Sequence, residues 1–277
     1  MLFSLGEISS EGTKMSKVGC AGCKGSEALP FDFTMAFHPI VDISQGTVWG
    51  YEALVRGTEG QGAGQILGMV DESNRYKFDQ ACRVKAIELA GVLFPNAETR
   101  LSINFMPNAV YEPAACIKAT LEAAHRVGFA HRQIMFEFTE NERMTDVGHV
   151  QRIIAEYRKQ GFATALDDFG AGYAGLNLPA NFQPDFIKID MDLIRGIAAS
   201  PARQTIIACV LMMARDLGVD VIAEGIETEA ELMTLRAAGV RLFQGYLFAK
   251  PMIAGLPSVL LPGSNNPTSR EVSRRRA

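Results

Sequence analysis

Eight apolar, β-branched runs punctuate the chain, at residues 34–41, 48–55, 101–104, 133–138, 163–168, 186–190, 219–223 and 240–243. Most of the spaces between them carry helical signals. One helix opens at Ser200 with Pro201 in its first turn and runs to Leu217 before Gly218. Another starts at the capping box Thr228-Glu229-Ala230-Glu231 and stops at Gly239. A third covers 146–160, with Gly161 as terminator. Strands alternating with helices over about 230 residues predict a (β/α)8 barrel of the TIM type, with an open doubly wound sheet as the competitor. One connection departs from the ideal barrel. Only Asp42-Ile43-Ser44-Gln45-Gly46-Thr47 separates the first two strands, whereas a parallel crossover needs about a dozen residues. The first pair is therefore expected to be an antiparallel hairpin, giving an α/β, modified TIM barrel with an antiparallel first strand. The repeats then begin at strand two, whose C-terminal end shares a mouth with those of the later strands.

Composition narrows the class. The 277 residues are 48% apolar and 21% charged, which suits a globular chain with a sizeable core and excludes global disorder. The formal charge of −4, from 27 basic and 31 acidic residues, argues against bulk nucleic-acid binding but not against a small phosphate ligand. The longest mid-chain apolar run, Ile206 to Ala214, is nine residues, short of the roughly 18 needed for a membrane span. With no export signal at the start, a cytoplasmic protein is expected. Residues 1–29 read as a flexible leader, 30–261 as the barrel and 262–277 as a disordered tail ending in Arg274-Arg275-Arg276. The leader holds a CxxC, Cys20 and Cys23, with no second pair to complete a four-thiolate zinc site. It is read first as two unpaired, solvent-facing thiols and second as a structural or redox site.

The strand ends carry the chemistry: Glu52, Asn104, Glu137, Asp167 with Asp168, Lys188 with Asp190, Glu224 and Gln244. In a barrel they converge on the face where active sites of this architecture lie. Taken singly, each acid is as well explained by a salt bridge or a helix N-cap. Taken together, the five carboxylates of Glu52, Glu137, Asp167, Asp168 and Glu224 in apolar settings with one lysine demand further cations. Carboxylates plus an amide oxygen, without His or Cys, suit Mg²⁺ or Mn²⁺ rather than zinc. Adjacent Asp167 and Asp168 would let one carboxylate bridge two ions. Two divalent cations about 3.5–4 Å apart serve phosphodiester cleavage, although enolases and aldolases also use oxygen ligands on barrels.

The string Tyr51-Glu52-Ala53-Leu54-Val55-Arg56 resembles the signature of EAL domains, phosphodiesterases of cyclic di-GMP. In order follow Asn104-Phe105-Met106-Pro107, Glu137-Phe138-Thr139-Glu140, Asp167-Asp168-Phe169-Gly170, Lys188-Ile189-Asp190, Glu224-Gly225-Ile226-Glu227 and Gln244-Gly245-Tyr246. The resemblance covers about residues 30 to 255 and implies a barrel with one antiparallel strand. It also implies hydrolysis of cyclic di-GMP to linear pGpG with two Mg²⁺ or Mn²⁺ ions, in a homodimer. By the same resemblance, Glu52, Asn104, Glu137 and Asp167 would hold one ion, and Asp167, Asp168 and Glu224 the other. Lys188 would orient or help deprotonate the attacking water, Gln244 would bind near that water, Asp190 would support Lys188 and the metal site, and Arg56 would contact a substrate phosphate. Glu140 and Glu227 would anchor the loop after the paired aspartates.

That loop departs from the family pattern, since Ala171, Ala174 and Gly175 replace three hydroxyl residues. His38 stands where a glutamine commonly precedes Pro-Ile-Val, and would contact a guanine or serve structurally. The alternative function is a weak or inactive receptor that binds cyclic di-GMP without cleaving it. A third reading, an interaction adaptor working through the leader or tail, is compatible with either.

Overall fold

A computed structural model of the chain describes residues 29–262, apart from 111, 140–146, 172–175 and 182. The leader cysteines, Glu140, Ala174, Gly175 and nearly all of the tail lie outside the described residues. In chain order the elements are β1 (Thr34–Asp42), β2 (Thr47–Arg56), α1 (Ala63–Leu67), α2 (Arg75–Leu93), β3 (Arg100–Asn104), α3 (Pro113–Cys116), α4 (Lys118–Val127), β4 (Ile134–Thr139), α5 (Val147–Lys159), β5 (Ala163–Phe169), α6 (Asn177–Asn181), β6 (Phe186–Ile189), α7 (Met191–Ile194), α8 (Pro201–Leu217), β7 (Asp220–Ala223), α9 (Glu229–Ala238), β8 (Leu242–Gln244) and β9 (Met252–Ile253).

The sheet runs β2-β3-β4-β5-β6-β7-β8-β1 and closes through β1 back onto β2. Strand β1 is antiparallel to both neighbours, with Thr34 opposite Arg56 on β2 and Ile40 opposite Gln244 on β8. Every pairing from β2 round to β8 is parallel. The expected barrel and hairpin are both present. The hairpin turn is closed by the Asp42 carboxylate, which accepts from the amides of Ser44 at 2.9 Å and Gln45 at 3.1 Å.

Differences from the expected bounds have local causes. The amides of Val219 and Val240 donate back to Ala214 and Leu235, so both residues finish helix caps and the strands start later, at Asp220 and Leu242. Strand β6 ends at Ile189 because Asp190 caps α7, its carboxylate accepting the Asp192 amide at 2.7 Å. Strand β9 pairs with β1 at Ala36 and Phe37 and is too short for periodicity to reveal.

Two cores divide the barrel. The larger fills the space between sheet and helices. The smaller plugs the interior and consists of Ile40, Met135, Ala165, Phe186, Ile222 and Leu242. A strand returns to the same face every second residue. Two positions beyond five of these plug residues stand Glu137, Asp167, Lys188, Glu224 and Gln244, forming a polar layer above an apolar floor. On the reversed strand β1 the step runs the other way, from Ile40 back to His38.

Candidate active site

The polar layer gathers around one ammonium group. Lys188 Nζ lies 2.7 Å from Glu224 Oε1, 2.8 Å from Glu137 Oε2, 3.0 Å from Asp167 Oδ1 and 3.7 Å from Glu52 Oε2. Lys188 is 1% exposed and Glu137 0%. Asn104, at the end of β3, donates to Glu52 Oε1 at 2.7 Å, and Gln244, at the end of β8, donates to Glu52 Oε2 at 3.0 Å. Predicted side chains from seven successive strands, β2 to β8, thus meet in one cluster.

Asp167 and Asp168 present a geometric problem, because adjacent strand residues point to opposite faces. A bulge solves it. Leu166 pairs with Ile187 and Phe169 with Ile189, so β5 spends three residues where β6 spends two. Asp168 absorbs the extra step at φ 54°, a left-handed conformation that Asp adopts more readily than most residues. Its amide donates to Asp167 Oδ1 at 2.9 Å. The Ala171 amide donates to the Asp168 carbonyl at 3.0 Å and closes the following turn. A second special backbone position follows Glu224. Gly225 has φ 64°, and a Cβ there would lie 2.4 Å from Met191 Cβ.

One lysine cannot hold all these acids ionised. Burial pushes Glu137 and Glu224 well above the usual carboxylate range, and neighbouring acids add to it despite Lys188. Burial also works on Glu52, but Lys188, His38 and the two amide donors overcome it and hold that carboxyl below its usual value. Asp168 is pushed up to about 6 by burial and by Asp167. Lys188 loses hydration yet is held well above its ordinary range by the surrounding carboxylates.

Two triads have oxygens close enough to share a cation: Glu52, Glu137 and Asp167, and Asp167, Asp168 and Glu224, the ligand atoms of each lying within 4.8 Å of one another. Asp167 belongs to both. The donors are all hard oxygens, and Glu137 Oε1 is buried without a hydrogen-bond partner, an acceptor whose desolvation is uncompensated. This donor set fits divalent cations that prefer oxygen.

The remaining predicted residues that are described, His38, Arg56, Asp190 and Glu227, lie around the mouth. His38 pairs across the hairpin with Glu52. Burial lowers its pKa against the opposing pull of Glu52; Nε2 is buried without a partner, and the Tyr246 ring lies 5.9 Å away. Asp190 and Glu227 line the same cavity of about 270 Å³. Glu227 pairs with Arg195 at 3.1 Å on the exposed rim. Arg56 folds back to donate to the Val55 carbonyl at 2.7 Å. Sequence reasoning missed a second, largely apolar cavity of about 500 Å³ beside Asn104, lined by Leu54, Arg75, Phe78 and Met106 among others. No pattern in the sequence marks its wall, which comes from α1, α2 and three strand exits.

A family model described as the EAL domain matches residues 28–251. A crystal structure of a standalone EAL protein from Vibrio cholerae O395, in a c-di-GMP-bound form, is 53% identical with a TM-score of 0.83, the match covering 86% of this chain and 100% of that one. Klebsiella pneumoniae BlrP1, in a manganese and cyclic di-GMP complex, is 35% identical with a TM-score of 0.78 over 84% of this chain and 59% of that one. Among curated relatives, the blue light- and temperature-regulated antirepressor BluF of Escherichia coli K12 is 34% identical over 82% of this chain. The cyclic di-GMP phosphodiesterase NbdA of Pseudomonas aeruginosa is 30% identical over 78%. The match spans only 56% and 28% of the lengths of those two proteins.

Proposed function

The chain belongs to the EAL domain family, and from that premise we propose that it hydrolyses cyclic di-GMP to linear pGpG with two Mg²⁺ or Mn²⁺ ions. The observation that carries this reading is the pair of carboxylate triads joined at Asp167. In this reading Glu52, Asn104, Glu137 and Asp167 hold one ion, and Asp167, Asp168 and Glu224 the other. When bound, the ions would supply positive charge to the phosphate oxygens and acidify the attacking water.

The chain's own groups divide the rest of the work. Lys188, whose Nζ stands within 3.0 Å of oxygens of Glu137, Asp167 and Glu224, orients the attacking water or helps deprotonate it. Gln244 steadies Glu52 through its 3.0 Å bond. Arg56 releases its own carbonyl contact to meet a substrate phosphate. Asp190 and Glu227 shape the rim, and Glu140 joins Glu227 in anchoring the loop after β5. His38 meets one guanine, and the apolar cavity beside Asn104 has room for the other base. The catalytic unit is the barrel of residues 30–261, working in the cytoplasm as a homodimer. Among the described residues no helix is long and apolar enough to cross a membrane.

Purified protein with Mg²⁺ or Mn²⁺ is expected to convert cyclic di-GMP to pGpG, and Glu52→Ala to abolish turnover. The receptor reading has one observation in its favour, that BluF is named as an antirepressor rather than as an enzyme. Against it stands the full set of acids in this chain. Calorimetric binding of cyclic di-GMP with no pGpG under either metal would overturn the enzyme and leave the receptor. Light scattering that gives one chain's mass would remove the dimer.

A further inference from the structure

Behind the exits of β3 and β4, on the helix side of the sheet, lies a buried charge pair to which the proposed hydrolysis assigns no task, although its acid, Asp79, also lines the apolar cavity beside Asn104. Asp79 and Arg83 stand one turn apart on α2 and are 2% and 0% exposed. Arg83 donates to Asp79 Oδ2 through Nη2 and, through Nη1, to the Tyr157 hydroxyl on α5 at 2.8 Å. Its guanidinium lies 5.6 Å from the ring centres of Phe105 and Phe136 and 5.9 Å from that of Tyr157. Phe105 follows Asn104 in the chain, and Phe136 precedes Glu137.

The other oxygen of Asp79 has a separate task. Oδ1 accepts the Met106 amide at 2.9 Å, while the Phe105 amide donates to the Glu137 carbonyl at 2.9 Å. Both peptide groups after Asn104 are therefore tied down, one to β4 and one to Asp79. A buried ion pair is a costly core filler, and apolar residues of similar volume are often as stable or more so. Arg83 Nε, buried without a partner, adds to the cost. What an apolar filler lacks is the acceptor for the Met106 amide.

We propose that Asp79, held in place by Arg83 and Tyr157, is a positioning residue for the metal site. It fixes the backbone leaving β3 and so the direction in which Asn104 is presented beside Glu52. The inference rests on the metal-binding reading above, and its test reads metal affinity without substrate.

Mn²⁺ binding is measured by electron paramagnetic resonance on the full chain, alongside thermal unfolding. Two variants isolate the Met106 contact, since both remove the charge pair: Asp79→Leu with Arg83→Met, and Asp79→Asn with Arg83→Met. The first is expected to weaken Mn²⁺ binding by about tenfold or more, the usual effect of losing an outer partner of a ligand. The second, whose amide oxygen can still accept from Met106, should restore affinity to within about threefold of wild type. Equal affinities in the two folded variants would overturn the proposal. If the Leu variant does not fold, Tyr157→Phe decides: the positioning role requires about threefold weaker Mn²⁺ binding and faster hydrogen exchange at the Met106 amide. No change in either rejects it. A wild-type chain that fails to bind Mn²⁺ sinks the metal reading and the proposal with it, whereas normal wild-type binding with matched variants sinks the positioning role alone.

Discussion

Asp168 combines a left-handed backbone, a half-buried carboxyl and a neighbouring acid, three costs at one residue. Without metal, its folded carboxyl holds a proton more tightly than the unfolded chain does, with a pKa of about 6. A raised acid contributes most below its unfolded pKa, and that contribution is lost as pH climbs through the folded value. Asp168→Asn, which keeps the left-handed tolerance and removes the charge, should therefore melt higher than wild type in metal-free buffer. The gap should open as pH rises from about 4 to about 6. The same variant should bind Mn²⁺ more weakly, the exchange of stability for function usual at such sites. Thermal melts across pH with chelator check the first half; a gap that closes with rising pH contradicts it. For the wild type, protons and metal compete for the same oxygens, so Mn²⁺ affinity should rise with pH.

At the scale of elements, caps and bulges decide where the strands deliver their side chains. Thr228 accepts the Glu231 amide at 3.2 Å, and Glu231 answers at the Thr228 amide at 3.0 Å. Thr228→Ala should cost about 1 kcal/mol in denaturant unfolding and leave turnover intact. Gly225→Ala is expected to cost about 1–3 kcal/mol by overpacking against Met191, and to lower turnover because Glu224 moves with it. Equal effects of the two substitutions on activity would remove the distinction. The strand ends were legible because each period-two run finishes in a polar residue, and the capping box and glycine stops marked α8 and α9. The bulge was not legible, since Asp167-Asp168 on a regular strand would face opposite ways. Nor was the Asp79–Arg83 pair, because an acid and a base four apart on a helix read as a solvated surface pair. Only the packing of α2 and α5 against β3 and β4 makes it interior.

For the whole molecule, ligand linkage gives the broadest test. An ion that binds only the folded state raises stability as its concentration passes its dissociation constant. Mn²⁺ should accordingly raise the melting temperature of the wild type and leave that of Glu137→Ala nearly unchanged. The reversed first strand has a consequence for how such a barrel is addressed. In an all-parallel barrel the polypeptide enters at the floor, remote from the chemistry. Here Thr34 lies beside Arg56 at the rim, and β1 descends from the rim into the barrel. A chain that enters through β1 therefore comes in beside Arg56, at the end of the barrel where the carboxylates gather, and not beneath the apolar floor.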